Sequence, residues 1–186
     1  MDIAGIPAVK IIDERDIDVP LDKRIRETLC TVFPDWRNIF QEHRMWHSTK
    51  PLFTAVAEED SGKIAGHIAA VVRSITTTWN FRYNVISIQG VCVVSEYRHR
   101  GLAHQLLQNV LEESKRRQFL FAILYCKEPL VNFYTSQGWH LADESVVMWN
   151  QRDLPIAMRS NCPMYYELSG VPFPDDGPLD VHSPSW

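Results

Sequence analysis

The chain has 186 residues, of which 45% are hydrophobic and 23% charged, with 8 glycines, 11 prolines and a formal net charge of −4. That is enough chain for one ordinary globular domain with a real core, and it excludes collagen, coiled coil, low-complexity disorder and repeat arrays. No window approaches the ~18 uninterrupted apolar residues of a membrane span, and 19 Lys and Arg against 23 Asp and Glu argue against a nucleic-acid partner.

In chain order, Val9 to Ile12 reads as a short strand. Pro20 opens a helix with apolar residues at Leu21, Ile25, Leu29 and Val32. Pro34-Asp35 starts a second helix, through Trp36, Ile39 and Phe40 toward Met45. Leu52 to Ala57 and the β-branched run Ile64 to Thr78 form a hairpin about Ser61-Gly62, and a second turn falls within Thr76 to Asn84. Val85 to Val94 is an apolar strand interrupted by Ser87, Gln89 and Gly90. Leu102, Leu106, Leu107, Val110 and Leu111 mark an amphipathic helix running to about Arg117. Phe119 to Cys126 is a buried strand, and Pro129 to Ser136 a short helix ended by Gly138 at C′. Trp139 to Ala142, Val146 to Trp149 and Met164 to Leu168 complete an α/β pattern with mixed pairing. No proline falls between Pro51 and Pro129, whereas six follow Asn150, so regular structure belongs to the middle and turns to the tail.

Charge and thiols add context. Asp13 to Asp22 holds five acids and one base, Arg15, and no Lys or Arg follows Arg159. Acidic stretches meeting near a site would favour a cationic ligand, and plain solubility is the other reading. The cysteines at 30, 92, 126 and 162 form no CxxC, and Cys92 and Cys126 lie in apolar runs where reduced core thiols are common. No secretory h-region precedes the first charges, so a reducing, cytoplasmic location is expected. His43 and His47 are one helical turn apart without the glutamate of a zinc-protease helix, so no metal is expected. His67 is expected on a strand face near the core.

The chemistry is concentrated where the strand ending at Val94 turns into a helix through Arg98-His99-Arg100-Gly101-Leu102-Ala103-His104. A helix N-terminus offers unpaired amides and the positive end of its dipole, a natural anion site. Gly101 and the small Ala103 allow a phosphate close to the backbone. Gly90 in mid-strand suggests a bulge that splays this strand from a parallel neighbour.

Arg98-x-x-Gly101-x-Ala103 after an apolar strand resembles the acyl-CoA signature of the GCN5-related N-acetyltransferase (GNAT) superfamily, and Asn132-Phe-Tyr134-Thr-Ser-Gln-Gly138-Trp139 resembles its second signature. The resemblance covers roughly Leu52 to Trp149. It implies a mixed, mostly antiparallel sheet with a splayed parallel pair and helices on both faces. It implies one acyl-CoA N-acyltransferase domain over 1–186, with N-terminal strand and helices at 1–50, a cofactor-binding core at 52–149 and a turn-rich segment at 150–186. The cofactor it implies is acetyl-CoA or CoA. Val91, Cys92, Val93 and Val94 would meet the pantetheine arm, with the Val91 or Cys92 N–H polarising the thioester carbonyl. The amides from His99 to His104, Leu102 and Ala103 among them, would hold the pyrophosphate, with charge added by Arg98 and Arg100. Asn132 would contact the pantetheine side, and Tyr134 would protonate the leaving thiolate, though packing on Trp139 is its plainer reading.

Many relatives carry a basic glutamate where this chain has Gln89, which takes up no proton. The ending at Trp186 is similar to that of the aminoglycoside 2′-N-acetyltransferases, and by that likeness a Trp186 carboxylate would bind or deprotonate an amine. Asp143, Glu144, Glu42 and Asp180 are substitutes that no spacing favours. The expected activity is acetyl transfer to a primary amine of a small cationic acceptor in a ternary complex. An aminoglycoside 2′-N-acetyltransferase proper, a longer-chain acyltransferase and a non-catalytic acyl-CoA sensor are the alternatives. A homodimer through late strands stays open.

Overall fold

The computed structural model describes residues 5–45, 50–142, 148–149, 155–156, 162–174 and 177–181. They form strands β1 (Val9–Asp13), β2 (Phe53–Glu58), β3 (Ile64–Thr76), β4 (Arg82–Val93), β5 (Phe121–Cys126), β6 (His140–Leu141), β7 (Met148–Trp149), β8 (Pro155–Ile156) and β9 (Cys162–Glu167). The helices are α1 (Val19–Val32), α2 (Arg37–Phe40), α3 (Leu102–Arg116) and α4 (Val131–Thr135). Seven strands make a mixed sheet in the order β1-β2-β3-β4-β5-β9-β6, and β7 pairs with β8. The chain divides into two compact units, Met1–Val71 with Ile88–Glu113, and Val72–Ser87 with Ser114–Trp186.

In the first unit, α1 begins where Asp18 accepts the Leu21 N–H at 2.8 Å, with Pro20 in the first turn. Its stripe of Leu21, Ile25 and Leu29 packs with Phe40, Val56, Ile64 and Cys92. Gly66 turns the opposite way, and a Cβ there would stand 2.7 Å from a Leu106 methyl of α3. Adjacent strand residues face opposite sides, so helices cover both faces of this part of the sheet. β1 and β2, and β2 and β3, pair antiparallel.

Arg44 is the polar centre of this unit. It is only 7% exposed, and its Nη2 donates to both Glu14 oxygens at 2.7 and 2.8 Å. Its Nε donates to Asp22 at 2.6 Å, and its Nη1 to Thr54 at 3.4 Å. Asp22 also accepts from Arg26 at 2.7 Å. Much of the acidic Asp13–Asp22 stretch is therefore committed to an internal clasp and a helix cap.

In the second unit, β4 and β5 run parallel at Ile86–Ala122 and Ser87–Ile123, while β5–β9 and β6–β9 are antiparallel. β4 starts at Arg82, three residues before the expected Val85, because the turn is tight. Thr77 N donates to Phe81 O at 2.9 Å around Asn80, whose φ is 63°. β5 starts at Phe121 because Phe119 N closes the end of α3 on Ser114 O at 3.1 Å. β9 begins at Cys162 instead of Met164, β8 lacked any sequence signal, and of Val146 to Trp149 only Met148–Trp149 is described.

The proline-rich tail is anchored as far as Val181. Thr76 and Asp180 exchange backbone hydrogen bonds at 2.8 and 2.9 Å. Phe173, Leu179 and Val181 join Ile75, Val85, Phe121 and Ile123 in one core, where Phe173 meets Phe121 edge-on at 5.2 Å and stacks on Tyr165 at 4.2 Å.

Candidate active site

The first unit carries the strand-to-helix segment. Cys92, Val93 and Val94 are buried and Val91 is half-buried. After a 3-10 turn at Ser95–Tyr97, His99 adopts φ 60° and Gly101 φ 86°. Two left-handed residues let the chain reverse into α3, whose first helical bond runs from Gln105 N to Gly101 O at 3.1 Å. The amides of the first turn have no acceptor one turn earlier within the helix. A Cβ at Gly101 would meet nothing within 4 Å, so the turn faces open space. His99, Arg100, Gly101 and His104 are exposed, Ala103 is half-buried and Leu102 anchors the turn in the core. This arrangement fits a pyrophosphate at a helix N-terminus.

The two arginines have work within the chain. Arg98 Nε donates to Val93 O at 3.0 Å, tying the turn to the strand it leaves. The Arg100 guanidinium lies 5.7 Å from the centre of the Tyr97 ring. Burial pushes the Cys92 thiol up to about 12, which keeps it a core thiol rather than a nucleophile.

Gln89 is 6% exposed, and neither amide atom has a hydrogen-bond partner. Next to it, Gly90 has φ 60°, a conformation that glycine adopts readily. The Gly90 carbonyl lies 3.0 Å from His67 Nδ1. A cleft of about 520 Å³ opens between α1, the β2–β3 turn and the end of β4, lined by Thr28, Thr31, Lys63, Val94, Glu96 and Arg98.

The second unit carries Asn132 and Tyr134. Pro129 leads a 3-10 turn, Glu128–Leu130, directly into α4. The helix closes with Gly138 N on Thr135 O at 3.0 Å and Trp139 N on Tyr134 O at 3.2 Å. This is a Schellman ending with glycine at C′, and Gly138 has φ 87°. The apolar contact that accompanies such an ending is Tyr134 against Trp139, edge-on at 6.1 Å. Tyr134 is 5% exposed, and burial raises its pKa, with the Cys126 thiol adding to the rise, so it stays a hydroxyl donor. Asn132 is exposed. Packing on Trp139 and a donor role are compatible readings of Tyr134.

Trp186, Asp143 and Glu144 lie outside the described residues. Glu42 is exposed, and Asp180 sits at the Thr76 bridge. Among the described residues no group of three or more His, Cys, Asp or Glu gathers as a metal would require, and no helix there is long and apolar enough to cross a membrane. Sequence reasoning missed the buried Arg44 clasp and the His67–Gly90 contact, since neither follows a local spacing rule.

A family model described as acetyltransferase (GNAT) domain matches residues 23–142. No curated protein matches the chain. Among solved structures the chain is similar to the Escherichia coli GNAT family N-acetyltransferase YhbS in complex with CoA, at 17% identity over 98% of this chain and 93% of that one, with a TM-score of 0.62. It is similar to an acyl-CoA N-acyltransferase from Pseudomonas aeruginosa at 14% identity, covering 86% and 98%, with a TM-score of 0.59. It is also similar to an aminoglycoside 6′-N-acetyltransferase complexed with coenzyme A at 13% identity, covering 89% and 99%, with a TM-score of 0.63. At these identities the likeness speaks for the fold. The aminoglycoside enzyme found here is a 6′ enzyme, so nothing singles out the 2′ group.

Proposed function

The chain belongs to the GNAT family and is an acyltransferase, and from that premise we propose that it moves an acetyl group from acetyl-CoA to a primary amine of a small cationic acceptor, within a ternary complex. The observation that carries the cofactor side is the left-handed pair His99 and Gly101 opening α3 toward free space. On this reading the amides from His99 to His104 hold the pyrophosphate. Val91 to Val94 line the pantetheine arm, and Asn132 contacts it.

Acetyl-CoA supplies the acyl group as a thioester. The Val91 or Cys92 N–H polarises the thioester carbonyl as the amine nitrogen forms its bond to that carbon. Tyr134 O–H gives its proton to the departing sulfur as the carbon–sulfur bond breaks. The amine nitrogen surrenders one proton to water and Tyr134 regains one from water, so the products are an amide and a thiol and the hydroxyl is restored. Gln89 accepts no proton and instead orients the acceptor or a water through its two unpartnered amide atoms. The amine therefore reacts from its neutral form. The net charge of −4 favours the approach of a cationic acceptor.

The test is thermal unfolding with and without CoA or acetyl-CoA, followed by a transfer screen over polyamines, aminoglycosides and peptides. At 100 times the dissociation constant, binding adds about 2.7 kcal/mol to stability. No rise in Tm at millimolar ligand refutes the reading.

A further inference from the structure

We propose that His67 is a positioning residue for the transfer reaction: its imidazole fastens the Gly90–Val91 peptide so that the Val91 N–H is held toward the thioester carbonyl. This rests on the acyl-transfer reading above, and it concerns a residue to which neither signature assigns a role.

His67 lies on β3, opposite Val56 of β2, and is fully buried. Its Nδ1 is 3.0 Å from Gly90 O. A carbonyl only accepts, so Nδ1 carries the hydrogen and donates. Nε2 is then an unprotonated nitrogen, buried and without a partner. Burial pushes the imidazole down to about 4, and the Arg44 guanidinium adds to that. The donor is therefore a neutral ring of one fixed tautomer across the working pH range.

The ring and the glycine are fitted to each other. A Cβ at position 90 would stand 3.2 Å from His67 Cε1 and 3.3 Å from Nδ1. With φ at 60°, position 90 is the point on β4 where the backbone is least restrained by ordinary strand geometry.

The consequence for Val91 is geometric. Gly90 C=O and Val91 N–H belong to one planar trans peptide and point in opposite directions. Val94 N donates to Ala65 O of β3 at 3.0 Å, whereas Val93 O is met by Arg98 Nε. Along a strand the backbone groups of successive residues alternate between its two edges. Val91 therefore shares the edge of Val93, away from β3. The imidazole holds the Gly90 carbonyl, and through it the Val91 N–H cannot swivel.

Two variants and one measurement on the unaltered protein test this. Loss of an oxyanion donor costs ~10²–10³ in kcat, and loosening one should cost about tenfold or more. His67→Leu is expected to lower kcat by that amount with CoA affinity within about twofold, because the amides of the pyrophosphate turn are untouched. His67→Asn puts an amide N–H near the Nδ1 position and is expected to restore kcat to within about threefold. Side-chain ¹⁵N NMR of the wild-type protein is expected to show an Nδ1–H tautomer that does not titrate between about pH 5.5 and 8. Undiminished kcat in His67→Leu, equal losses in both variants, or an Nε2–H tautomer overturns the proposal while leaving acyl transfer intact. A wild-type protein that neither binds CoA nor consumes acetyl-CoA overturns the acyl-transfer reading itself. If His67→Leu does not fold, the tautomer measurement and the Asn variant still decide.

Discussion

Trp139 holds Tyr134 in two ways: its backbone N–H donates to the Tyr134 carbonyl at 3.2 Å, and its indole meets the Tyr134 ring edge-on at 6.1 Å. The helix ending and the placing of the proposed acid are thus one device. Tyr134→Phe keeps the packing and removes only the hydroxyl. It is expected to lower kcat by ~10²-fold or more, with CoA affinity within about twofold. Steady-state kinetics beside a CoA titration checks this, and equal activity removes the acid role.

Gly138 is the hinge of the same device. Its φ of 87° suits glycine, and a Cβ there would stand 3.2 Å from the Tyr166 ring. Gly138→Ala is expected to cost ~1–3 kcal/mol of stability and to reduce kcat as Tyr134 shifts. Chemical denaturation and kinetics on one preparation separate the two effects, and wild-type stability contradicts the strain argument.

This ending was legible in the sequence because a Schellman motif is local: glycine at C′ and an aromatic at C″ sit at fixed offsets. The turn at Arg98 to His104 was legible for the same reason. What could not be read depends on packing between distant positions. Arg44 lies in the stretch read as a helix running toward Met45, with no local sign of burial, yet Glu14 and Asp22 draw it inside. His67 looked like a core histidine and is one, but its contact with Gly90, 23 residues away, appears only once β3 and β4 are formed. The acidic N-terminal stretch suggested a cation site. Local charge counting cannot foresee that the partner of Glu14 and Asp22 is an arginine in the same unit.

The clasp makes its own prediction. Arg44→Met leaves the Glu14 carboxylate without its guanidinium and the Asp22 carboxylate with Arg26 alone. Breaking a buried pair costs 3–5 kcal/mol, and these carboxylates keep partial access to water, so a loss of about 2 kcal/mol is expected. The hydrogen bonds from Arg44 and Arg26 hold the Asp22 carboxyl below its usual range against the opposing effect of burial. Loss of Arg44 should raise it. Denaturant unfolding and carboxyl ¹³C titration check both parts, and an unchanged midpoint refutes the clasp.

Buried His67 gives a pH dependence of stability with a definite sign. Its pKa falls from an ordinary 6.5 to about 4 in the folded protein. Between those values the unfolded chain takes up a proton that the native protein refuses, so its contribution is present above about pH 6.5 and lost as the pH falls toward 4. The full loss is up to about 3 kcal/mol. His67→Asn should flatten this part of the profile, and an identical acid limb in both proteins would show that other groups produce it.

Gln89 separates catalysis by a protein base from reaction of the neutral amine. If no side chain takes the proton, log kcat/KM should climb with unit slope as pH rises toward the acceptor's own pKa, with no inflection from an enzyme carboxylate. Gln89→Glu places a carboxyl in a site only 6% exposed, where burial raises its pKa toward neutrality. That is the range in which a general base is most effective, so the variant is expected to raise kcat/KM near pH 7 and to introduce an inflection absent from the wild type. A drop in kcat/KM with CoA affinity preserved would mean that the amide hydrogen bonds of Gln89 matter more than the missing base, and a wild-type profile already bearing that inflection would show that another group supplies it.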